Sequence, residues 1–248
     1  MICAISQPTF LPWLGWFDLV DQAKLMVILD DVQFDKRSWQ QRNRIRTHNG
    51  LEYLSVPVKT SGLYHQAIMD CELVDQLFVE KILKTLWTNY AKAPFFADSI
   101  DELAATLEVA AATRHLAELN CALISWMAGK LGVTTPMVRA SILGTAGERG
   151  DHLALICERV GAGHYISPAG AEDYLLEDKN AFDQRGISVS LQAYDHPQYV
   201  QRFSPFIPYA SAVDLIFNLG PEAGEVMRSG RRPARALGEN LLSNLEDV

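Results

Sequence analysis

Short apolar runs near the N-terminus predict a β-α-β opening. Residues 2–6 (ICAIS) have the length and apolar character of a buried strand. Leu14, Phe17 and Val20 then recur at the spacing of one helix face. Residues 25–30 (LMVILD) are apolar up to their last position, which predicts a second buried strand parallel to the first.

The pattern then changes from alternating to helical. An Asn-Gly pair at residues 49–50 lies between two partly alternating runs and predicts an antiparallel hairpin across residues 44–58. A third strand of the same sheet is expected near residues 67–74 (AIMDCELV). Apolar positions at helical spacing follow over residues 75–93 and again over residues 101–129, where they predict one or two further helices.

Strands and helices alternate again in the last third of the chain. Residues 149–160 carry a helical pattern that Gly161 closes, and residues 164–167 (HYIS) predict a strand. Residues 171–177 (AEDYLLE) begin another helix, and residues 187–194 (ISVSLQAY) predict the last strand. This alternation at both ends of the chain is typical of a parallel sheet covered by helices.

Together these elements predict a single α/β domain over residues 1–248. We expect one doubly wound, mostly parallel sheet. The β-hairpin would be an insertion at about residues 36–74, and a helical segment at about residues 75–130 would cover the sheet.

The composition is that of a globular chain. Of 248 residues, 48% are hydrophobic and 21% are charged, and the formal net charge of −8 disfavours binding to nucleic acid or anionic lipid. The four cysteines are far apart in apolar surroundings, as reduced core thiols are. Pro8 and Pro12 interrupt the uncharged N-terminal run before it reaches the roughly 20 residues of a membrane helix. We expect a soluble cytoplasmic protein with neither a membrane span nor a nucleic-acid partner.

A block of positive charge interrupts this acidic composition. Residues 36–46 contain five lysines and arginines and no acidic residue. An anionic small molecule would explain the block, whereas charges that blunt a strand edge would explain it without a ligand. The second interpretation is preferred for Arg44 and Arg46, which alternate along the predicted strand.

Arg42 and Asn43 are stronger candidates for ligand binding because they closely follow Trp39. A guanidinium beside an indole is a common clamp for a phosphate or a base. Gln33 and Lys36 add an amide and a charge to the same segment. All five side chains are therefore predicted to contact the substrate.

Two carboxylates end the second predicted strand. Asp30 and Asp31 would lie at the carboxyl edge of the parallel sheet, where ligands bind in open α/β folds. Asp31 is a candidate for Mg²⁺ coordination, for contact with a sugar hydroxyl or for general-base catalysis. The alternative is that both carboxylates cap the following turn.

The turn after the first strand, QPTFLPWLGWF (residues 7–17), lies at the same edge. Gln7, Trp13 and Gly15 are its candidate ligand contacts, since glycine permits close backbone approach and a helix N-terminus offers free N–H groups to an anion. PWLGW has the spacing of the histidine-x-glycine-histidine motif of nucleotidylyltransferases, with Trp13 and Trp16 in place of the histidines. The segment therefore resembles a nucleotidylyltransferase-like Rossmann fold without that chemistry. The alternative is a rigid, aromatic-packed turn.

His196 is the candidate general base. His196-Pro197 follows the last predicted strand, so we expect the imidazole on a turn at the sheet edge, with Tyr199 and Gln201 as further hydrogen-bonding groups. The alternative is a structural histidine. The sequence contains no nucleophile elbow, P-loop, dinucleotide fingerprint or metal-spaced histidine pair, and so it indicates no metal and leaves the cofactor unknown.

Five ordered segments carry a family resemblance over nearly the whole chain. They are QPTFLPWLGWF, LDDVQFDKRSWQQRNRI, YLSVPV, HPQYVQ and SAVDLIFNLG. Together they resemble the WbqC-like family, proteins encoded among bacterial surface-polysaccharide (O-antigen) biosynthesis genes. The resemblance implies a nucleotide-linked amino sugar as the ligand and transfer of an acyl or glycyl group to its amine. The motif positions also include Ser211 and Asp214.

The leading hypothesis is an N-acyltransferase that acts on the amine of a nucleotide-linked sugar. Arg42 and Lys36 would neutralise the pyrophosphate, and His196 or Asp31 would accept the amine proton. The acyl donor would be a thioester, an adenylate or an acyl carrier protein. The alternatives are a nucleotide-sugar-binding or scaffold protein without chemistry of its own, favoured by the lack of a recognisable nucleophile, and a nucleotidylyltransferase.

Overall fold

The strands of a computed structural model, which describes residues 1–239, form a six-stranded sheet and a separate two-stranded sheet. The strands are β1 (Ile2–Ser6), β2 (Leu25–Ile28), β3 (Arg42–Thr47), β4 (Gly50–Ser55), β5 (Met137–Arg139), β6 (His164–Ser167), β7 (Ser188–Tyr194) and β8 (Arg231–Ala236). The single domain expected over residues 1–248 extends into residues 240–248, which lie outside the described residues.

Helices connect the strands and cover both faces of the large sheet. They are α1 (Leu14–Gln22), α2 (Leu77–Tyr90), α3 (Ala97–Ala112), α4 (Leu116–Lys130), α5 (Ala140–Leu143), α6 (Arg149–Arg159), α7 (Glu172–Glu177), α8 (Lys179–Asp183), α9 (Ala212–Leu219) and α10 (Ala223–Ser229). The predicted helical region over residues 101–129 is divided between α3 and α4, and Arg114 between them has φ +65°. Within residues 1–239, no helix combines the length and apolar character needed to cross a membrane.

The large sheet has the strand order β5-β2-β1-β6-β7-β8. Neighbouring strands pair in parallel from β5 to β7, and β8 is antiparallel to β7. The chain adds strands on one side of β1 and later on the other, so the turns after β1 and β6 flank a crevice at the carboxyl edge. The doubly wound, mostly parallel sheet predicted from the sequence is confirmed, and it is consistent with a Rossmann-like α/β fold.

Alternate residues of β1 contribute to two hydrophobic cores. Ala4 belongs to the larger core, which the hairpin and helices α1 to α4, α9 and α10 complete. Cys3 and Ile5 belong to the smaller core, which lies against α6, α7 and α8. Because neighbouring side chains of a strand point to opposite faces, a strand buried on both faces is apolar throughout. This burial explains the continuous apolar sequence of β1.

Strands β3 and β4 form the predicted hairpin outside the large sheet. The turn consists of His48 and Asn49, with Thr47 paired to Gly50, and it therefore lies one residue before the predicted Asn-Gly turn. Gly50 follows the turn with φ +121°, a backbone conformation that glycine adopts without steric cost.

The prediction of a third hairpin strand near residues 67–74 is wrong. This segment contains a 3₁₀ turn, Ile68–Asp70, and isolated bridges only. The backbone N–H of Ile68 donates to the Val32 carbonyl, and that of Met69 donates to the Asp30 carbonyl. The first half of the segment thus bonds to the residues that follow β2, whose own backbone groups are unpaired beyond the sheet. Its second half bonds to the chain after β4, where the backbone N–H of Val74 donates to the Pro57 carbonyl.

A buried carboxylate joins the hairpin to the helices. Asp214, in the first turn of α9, accepts hydrogen bonds from the hydroxyls of Tyr90 and Tyr199, both at 2.7 Å, and from the Gln201 amide at 3.0 Å. The Tyr90 hydroxyl in turn accepts the backbone N–H of Arg46 in β3. Burial raises the pKa of Asp214, and the three donors oppose this shift. The network connects α2, α9, β3 and the segment after β7.

Asp214→Asn should lower the free energy of unfolding by about 1–3 kcal/mol. The substitution replaces one carboxylate oxygen by an NH₂ group, which cannot accept the hydrogen bond of a buried donor such as the Gln201 amide. Chemical denaturation followed by circular dichroism measures this change. The control Asp195→Asn removes an exposed carboxylate that pairs with Arg232, and it should change the free energy by less than about 0.5 kcal/mol. Equal effects of the two substitutions would contradict the assignment of Asp214 as the centre of the network.

Candidate ligand-binding site

Amide side chains from other parts of the chain hold the turn between β1 and α1. The Asn43 side-chain amide donates to the carbonyls of Phe10 and Leu11, at 3.1 and 2.9 Å. The Asn120 amide donates to the Pro8 carbonyl at 2.9 Å. Leu11 has φ +43°, a conformation that leucine adopts only where its surroundings impose it. These bonds fix the turn and the tryptophans that follow it.

A cavity of about 220 Å³ lies beside this turn, and we call it the tryptophan cavity. Its lining consists of Thr9, Trp13, Trp16, Trp39, Asn43, Arg44 and Tyr209. The indoles and the phenol provide flat apolar surfaces, and the guanidinium provides a positive charge. In the described chain, this lining contains no carboxylate. The cavity therefore suits a base or sugar ring that is joined to an anionic group.

The two tryptophans of PWLGW reach the cavity by different contacts. The Trp13 indole packs over Gly15 so closely that a Cβ atom at Gly15 would lie 2.3 Å from the ring. Gly15 was predicted to let a ligand approach the backbone closely. The structure places the Trp13 indole in that space instead. Trp16 Nε1 donates to Ser6 Oγ at 3.0 Å, which orients its ring.

Arg42 and Arg44 alternate with two aromatic rings on the hairpin. The Arg42 guanidinium lies 4.4 Å from the centre of the Tyr53 ring, and the Arg44 guanidinium lies 5.3 Å from the centre of the Trp39 ring. The two rings are 6.2 Å apart. The structure thus places Arg44 in the cavity, although an edge position was expected for it, and places Arg42 over Tyr53 rather than beside Trp39.

The predicted contacts Gln33 and Lys36 lie on the exposed segment after β2 and are absent from the cavity lining. Both side chains donate to backbone carbonyls of residues 60–64, at 3.2 and 3.3 Å. Gln7 lies at the carboxyl end of β1, where its Oε1 accepts a hydrogen bond from the Gln40 amide at 2.9 Å. Of these three residues, only Gln7 is positioned at the sheet edge itself.

Tyr199, Gln201 and Arg46 belong to buried contacts outside the cavity. Tyr199 and Gln201 bond to Asp214, as described above. Arg46 was expected on a solvated strand edge, but it is only 2% exposed and donates to the backbone carbonyls at 203 and 205. The segment after β7 covers this end of the hairpin, a long-range contact that strand alternation does not reveal.

His196 follows β7, and its ring packs against the aromatic residues of the cavity. The ring is stacked on Trp13 at 6.1 Å and lies edge-on to Tyr209 at 5.2 Å. Its Nδ1 donates to the Pro197 carbonyl at 2.9 Å, and its buried Nε2 has no hydrogen-bond partner in residues 1–239. Burial lowers the pKa of His196, and the bond to Pro197 opposes this shift. The lowered pKa favours the neutral imidazole, in which Nδ1 carries the proton and Nε2 is an acceptor.

The two carboxylates after β2 have different partners. Asp30 is fully buried and accepts bonds from Arg139 Nε at 2.5 Å and from the backbone N–H of Ser141 at 3.0 Å. Asp31 Oδ2 lies 3.3 Å from Nε2 of His152 on α6. Burial raises the pKa of Asp31, and the attraction to His152 opposes this shift. Asp30 therefore supports the start of α5, whereas Asp31 lacks a comparable structural role.

Sequence reasoning missed Tyr209 and His152. Tyr209 lines the cavity, and His152 pairs with Asp31. The available signal for His152 was its position in the first turn of a predicted helix, at the edge of the sheet where Asp31 was already expected. In the part of the chain that the structure describes, no group of three His, Cys, Asp or Glu side chains is arranged to hold a metal ion.

The amino-acid sequence matches the model of the WbqC-like protein family over residues 7–226. The chain belongs to the WbqC-like protein family. This assignment confirms the resemblance found in the five sequence segments. All residues that line the tryptophan cavity of this WbqC-like protein, and also Asp31, His152 and His196, lie within the matched range.

A curated relative of this WbqC-like protein comes from Mycobacterium tuberculosis (strain ATCC 25618 / H37Rv). That protein is named "Uncharacterized protein Rv1507c", and it is 33% identical over 230 residues. The alignment covers 92% of this chain and 98% of the relative, so the similarity extends over both proteins almost completely. No solved structure matches the chain.

The NMR titration midpoint of the His196 ring should lie below 6.5, the ordinary histidine value, because burial disfavours the charged form. Trp13→Ala removes one ring that excludes water, and it should move the midpoint towards 6.5. In the unfolded chain the imidazole binds its proton more tightly, so the native state should lose stability as the pH falls from 6.5 through the lowered pKa. A midpoint at or above 6.5 would contradict the burial of His196.

Proposed function

We propose that the protein binds a nucleotide-linked amino sugar of surface-polysaccharide biosynthesis in the tryptophan cavity. The observation that carries this proposal is the lining itself, which combines three indoles with one guanidinium. An indole face packs well against a nucleobase or the apolar face of a sugar ring, and a guanidinium pairs with phosphate oxygens. Membership of the WbqC-like family supports the biosynthetic setting.

The charge around the cavity suits a pyrophosphate. The chain has a formal net charge of −8, yet Arg42 and Arg44 form no ion pair with any side chain of the described residues. The Arg44 Nε atom is buried and likewise has no hydrogen-bond partner there. Two neighbouring guanidinium groups without carboxylate partners can neutralise the two phosphates of a nucleotide sugar, one beside Trp39 and one beside Tyr53.

The reaction that we propose for this ligand is transfer of an acyl or glycyl group to the sugar amine. The amine attacks the acyl donor in its neutral form, so the site needs a proton acceptor. The neutral His196 ring has a free acceptor at Nε2 and stacks on Trp13, which also lines the cavity. The acyl donor would be a thioester, either a small molecule or an acyl carrier protein. The amide C–N bond forms as the acyl C–S bond breaks, and the leaving thiolate takes up the proton as a thiol.

Binding without chemistry is the second candidate function. The burial of His196 Nε2 favours it, because the aromatic rings around the imidazole would have to move before that atom reached an amine. The protein would then hold the nucleotide sugar for another component of polysaccharide assembly.

Mass spectrometry separates these two functions. The protein is incubated with nucleotide-linked amino sugars and a panel of acyl and glycyl thioesters. An acylated sugar nucleotide, formed by the wild-type protein and not by boiled protein, supports transfer. Tight binding without product for every donor would contradict the transferase and support the binding protein.

Arg44→Ala should weaken nucleotide-sugar binding by roughly 1.5–3 kcal/mol, the contribution of a hydrogen bond to a charged group. Isothermal titration calorimetry measures the dissociation constant. Arg42→Ala should cause a smaller loss, because Arg42 lies over Tyr53 and is absent from the cavity lining.

The matched control is Arg37→Ala. Arg37 belongs to the same basic segment and is exposed, and its removal changes the net charge equally. It should alter the binding free energy by less than about 0.5 kcal/mol, as expected for a screened surface charge. If Arg37→Ala and Arg44→Ala weaken nucleotide-sugar binding equally, the effect of Arg44 is only that of net charge. Normal nucleotide-sugar binding by Arg44→Ala would contradict the proposed site.

A further inference from the structure

Asp31 and His152 form a polar pair that the function proposed above does not use. Asp31 follows β2, and His152 lies in the first turn of α6. Asp31 Oδ2 and His152 Nε2 are 3.3 Å apart, and the two side chains are only 14% and 7% exposed. The Thr145 hydroxyl lies 3.3 Å from the same imidazole nitrogen. Three polar groups from different segments thus meet at the carboxyl edge of the sheet.

One acceptor of this pair is unused. Asp31 Oδ1 is buried and accepts no hydrogen bond from any residue in the range 1–239. A buried polar atom without a partner costs about 1–3 kcal/mol, and more where the group is charged. The neighbouring Asp30 has donors on both oxygens, from Arg139 and Ser141. The free Oδ1 is therefore particular to Asp31, and it suits a donor that a ligand supplies.

Within residues 1–239, His152 is the one basic side chain within ion-pair distance of Asp31. The nearby Arg139 side chain is already paired, through Nε with Asp30 and through a terminal nitrogen with Glu118. Asp30 itself lies beside Asp31 and repels its negative charge. The pair therefore favours a ligand group that is positively charged and rich in donors.

A primary ammonium group fits this arrangement through its hydrogen bonds. Within residues 1–239, no three His, Cys, Asp or Glu side chains are grouped as they are in a protein site that supplies all the ligands of a metal ion. An ammonium group carries three N–H donors. The Asp31 carboxylate and the Thr145 hydroxyl provide acceptors for it, and His152 holds the carboxylate through Oδ2.

The pair and the tryptophan cavity both lie beside segments that leave the carboxyl edge of the sheet. Ser6 of β1 is paired with Ile28 of β2, so the turn that begins at Gln7 and the segment that contains Asp31 leave the sheet side by side. The first of these carries Trp13 into the cavity. A nucleotide sugar has its base and its amino sugar at opposite ends, and the inference assigns one end to each place.

We propose that Asp31 and His152 bind the primary amine of the acceptor sugar, with the Thr145 hydroxyl as a third contact. This inference rests on the proposed function, because it takes the amino sugar to be the ligand of the tryptophan cavity. It assigns the amine end of that ligand to residues that lie outside the cavity lining, and it gives the acceptance of the amine proton to the Asp31 carboxylate instead of His196, which lies beside the cavity.

Calorimetry with matched sugar nucleotides tests the assignment. The probes are UDP-glucose and its 2-amino and 4-amino derivatives, which differ from it only by an amine in place of a hydroxyl. The wild-type protein should bind one amino derivative about 10- to 100-fold more tightly than UDP-glucose, as a charged hydrogen bond provides. Asp31→Asn should abolish this preference without changing the affinity for UDP-glucose. A preference that survives in Asp31→Asn overturns the inference.

Two further variants complete the comparison. Asp195→Asn removes an exposed carboxylate just after β7, at the same edge of the sheet, and should keep the amine preference. If Asp31→Asn fails to fold, as judged by circular dichroism, Thr145→Val replaces it, because this substitution removes only one partly exposed hydroxyl. Thr145→Val should reduce the preference, and an unchanged preference in that variant also overturns the inference.

An NMR experiment without a nucleotide separates the amine site from the proposed function. Glucosamine or 4-amino-4-deoxyglucose should shift the His152 ring resonance, whereas glucose at the same concentration should not, and Asp31→Asn should remove the shift. If no sugar nucleotide binds and one of these amino sugars still shifts His152, the proposed function falls and the amine site stands. If UDP-glucose binds in the cavity and both amino sugars leave His152 unchanged, the amine site falls and the proposed function stands.

Discussion

The turn between β1 and α1 must satisfy its backbone carbonyls without forming a strand or a helix. Most of residues 7–13 are buried, and a buried carbonyl needs a donor. Asn43 on β3 and Asn120 on α4 supply those donors. The hairpin, the helical segment and the large sheet therefore meet at one turn, and the positions of Trp13 and Trp16 depend on this contact.

The tryptophan cavity is assembled from three separate parts of the chain. The β1-α1 turn contributes Trp13 and Trp16, the hairpin region contributes Trp39 and Arg44, and the segment after β7 contributes Tyr209. Backbone hydrogen bonds join these parts, since the N–H at 211 donates to the carbonyl at 44 and the N–H at 212 donates to the carbonyl at 12. Any change that separates the hairpin from the sheet would consequently open the cavity.

Local patterns predicted the elements whose partners lie nearby in sequence. The strands β1 and β2 and the helix α1 were predicted because apolar runs and helical spacing are properties of short segments. The segment 67–74 has a similar apolar pattern, but its N–H groups bond to several distant segments, among them the residues after β2, and no local signal indicates that choice. Residue patterns therefore indicated the fold class and failed where long-range backbone pairing decides the structure.

The candidate site shows the same limit at the level of side chains. The sequence singled out Trp13, Trp39 and the basic segment. Arg42 and Arg44 lie on one face of β3, however, and only the tertiary packing decides which aromatic ring each one contacts. Asp31 was identified from its place after a strand, whereas its partner His152 comes from a helix far away in the sequence. The arginine contacts arise within the hairpin region, and the Asp31–His152 contact arises from packing at the edge of the large sheet.

A crystal structure of the complex with a UDP-linked amino sugar tests most directly whether the tryptophan cavity holds the nucleotide sugar. We expect a base or sugar ring packed against Trp13 or Trp39, with a phosphate oxygen within hydrogen-bond distance of the Arg44 guanidinium. A ligand bound elsewhere, for example in the crevice between β1 and β6 with no contact to Trp13, Trp39 or Arg44, would contradict this binding site.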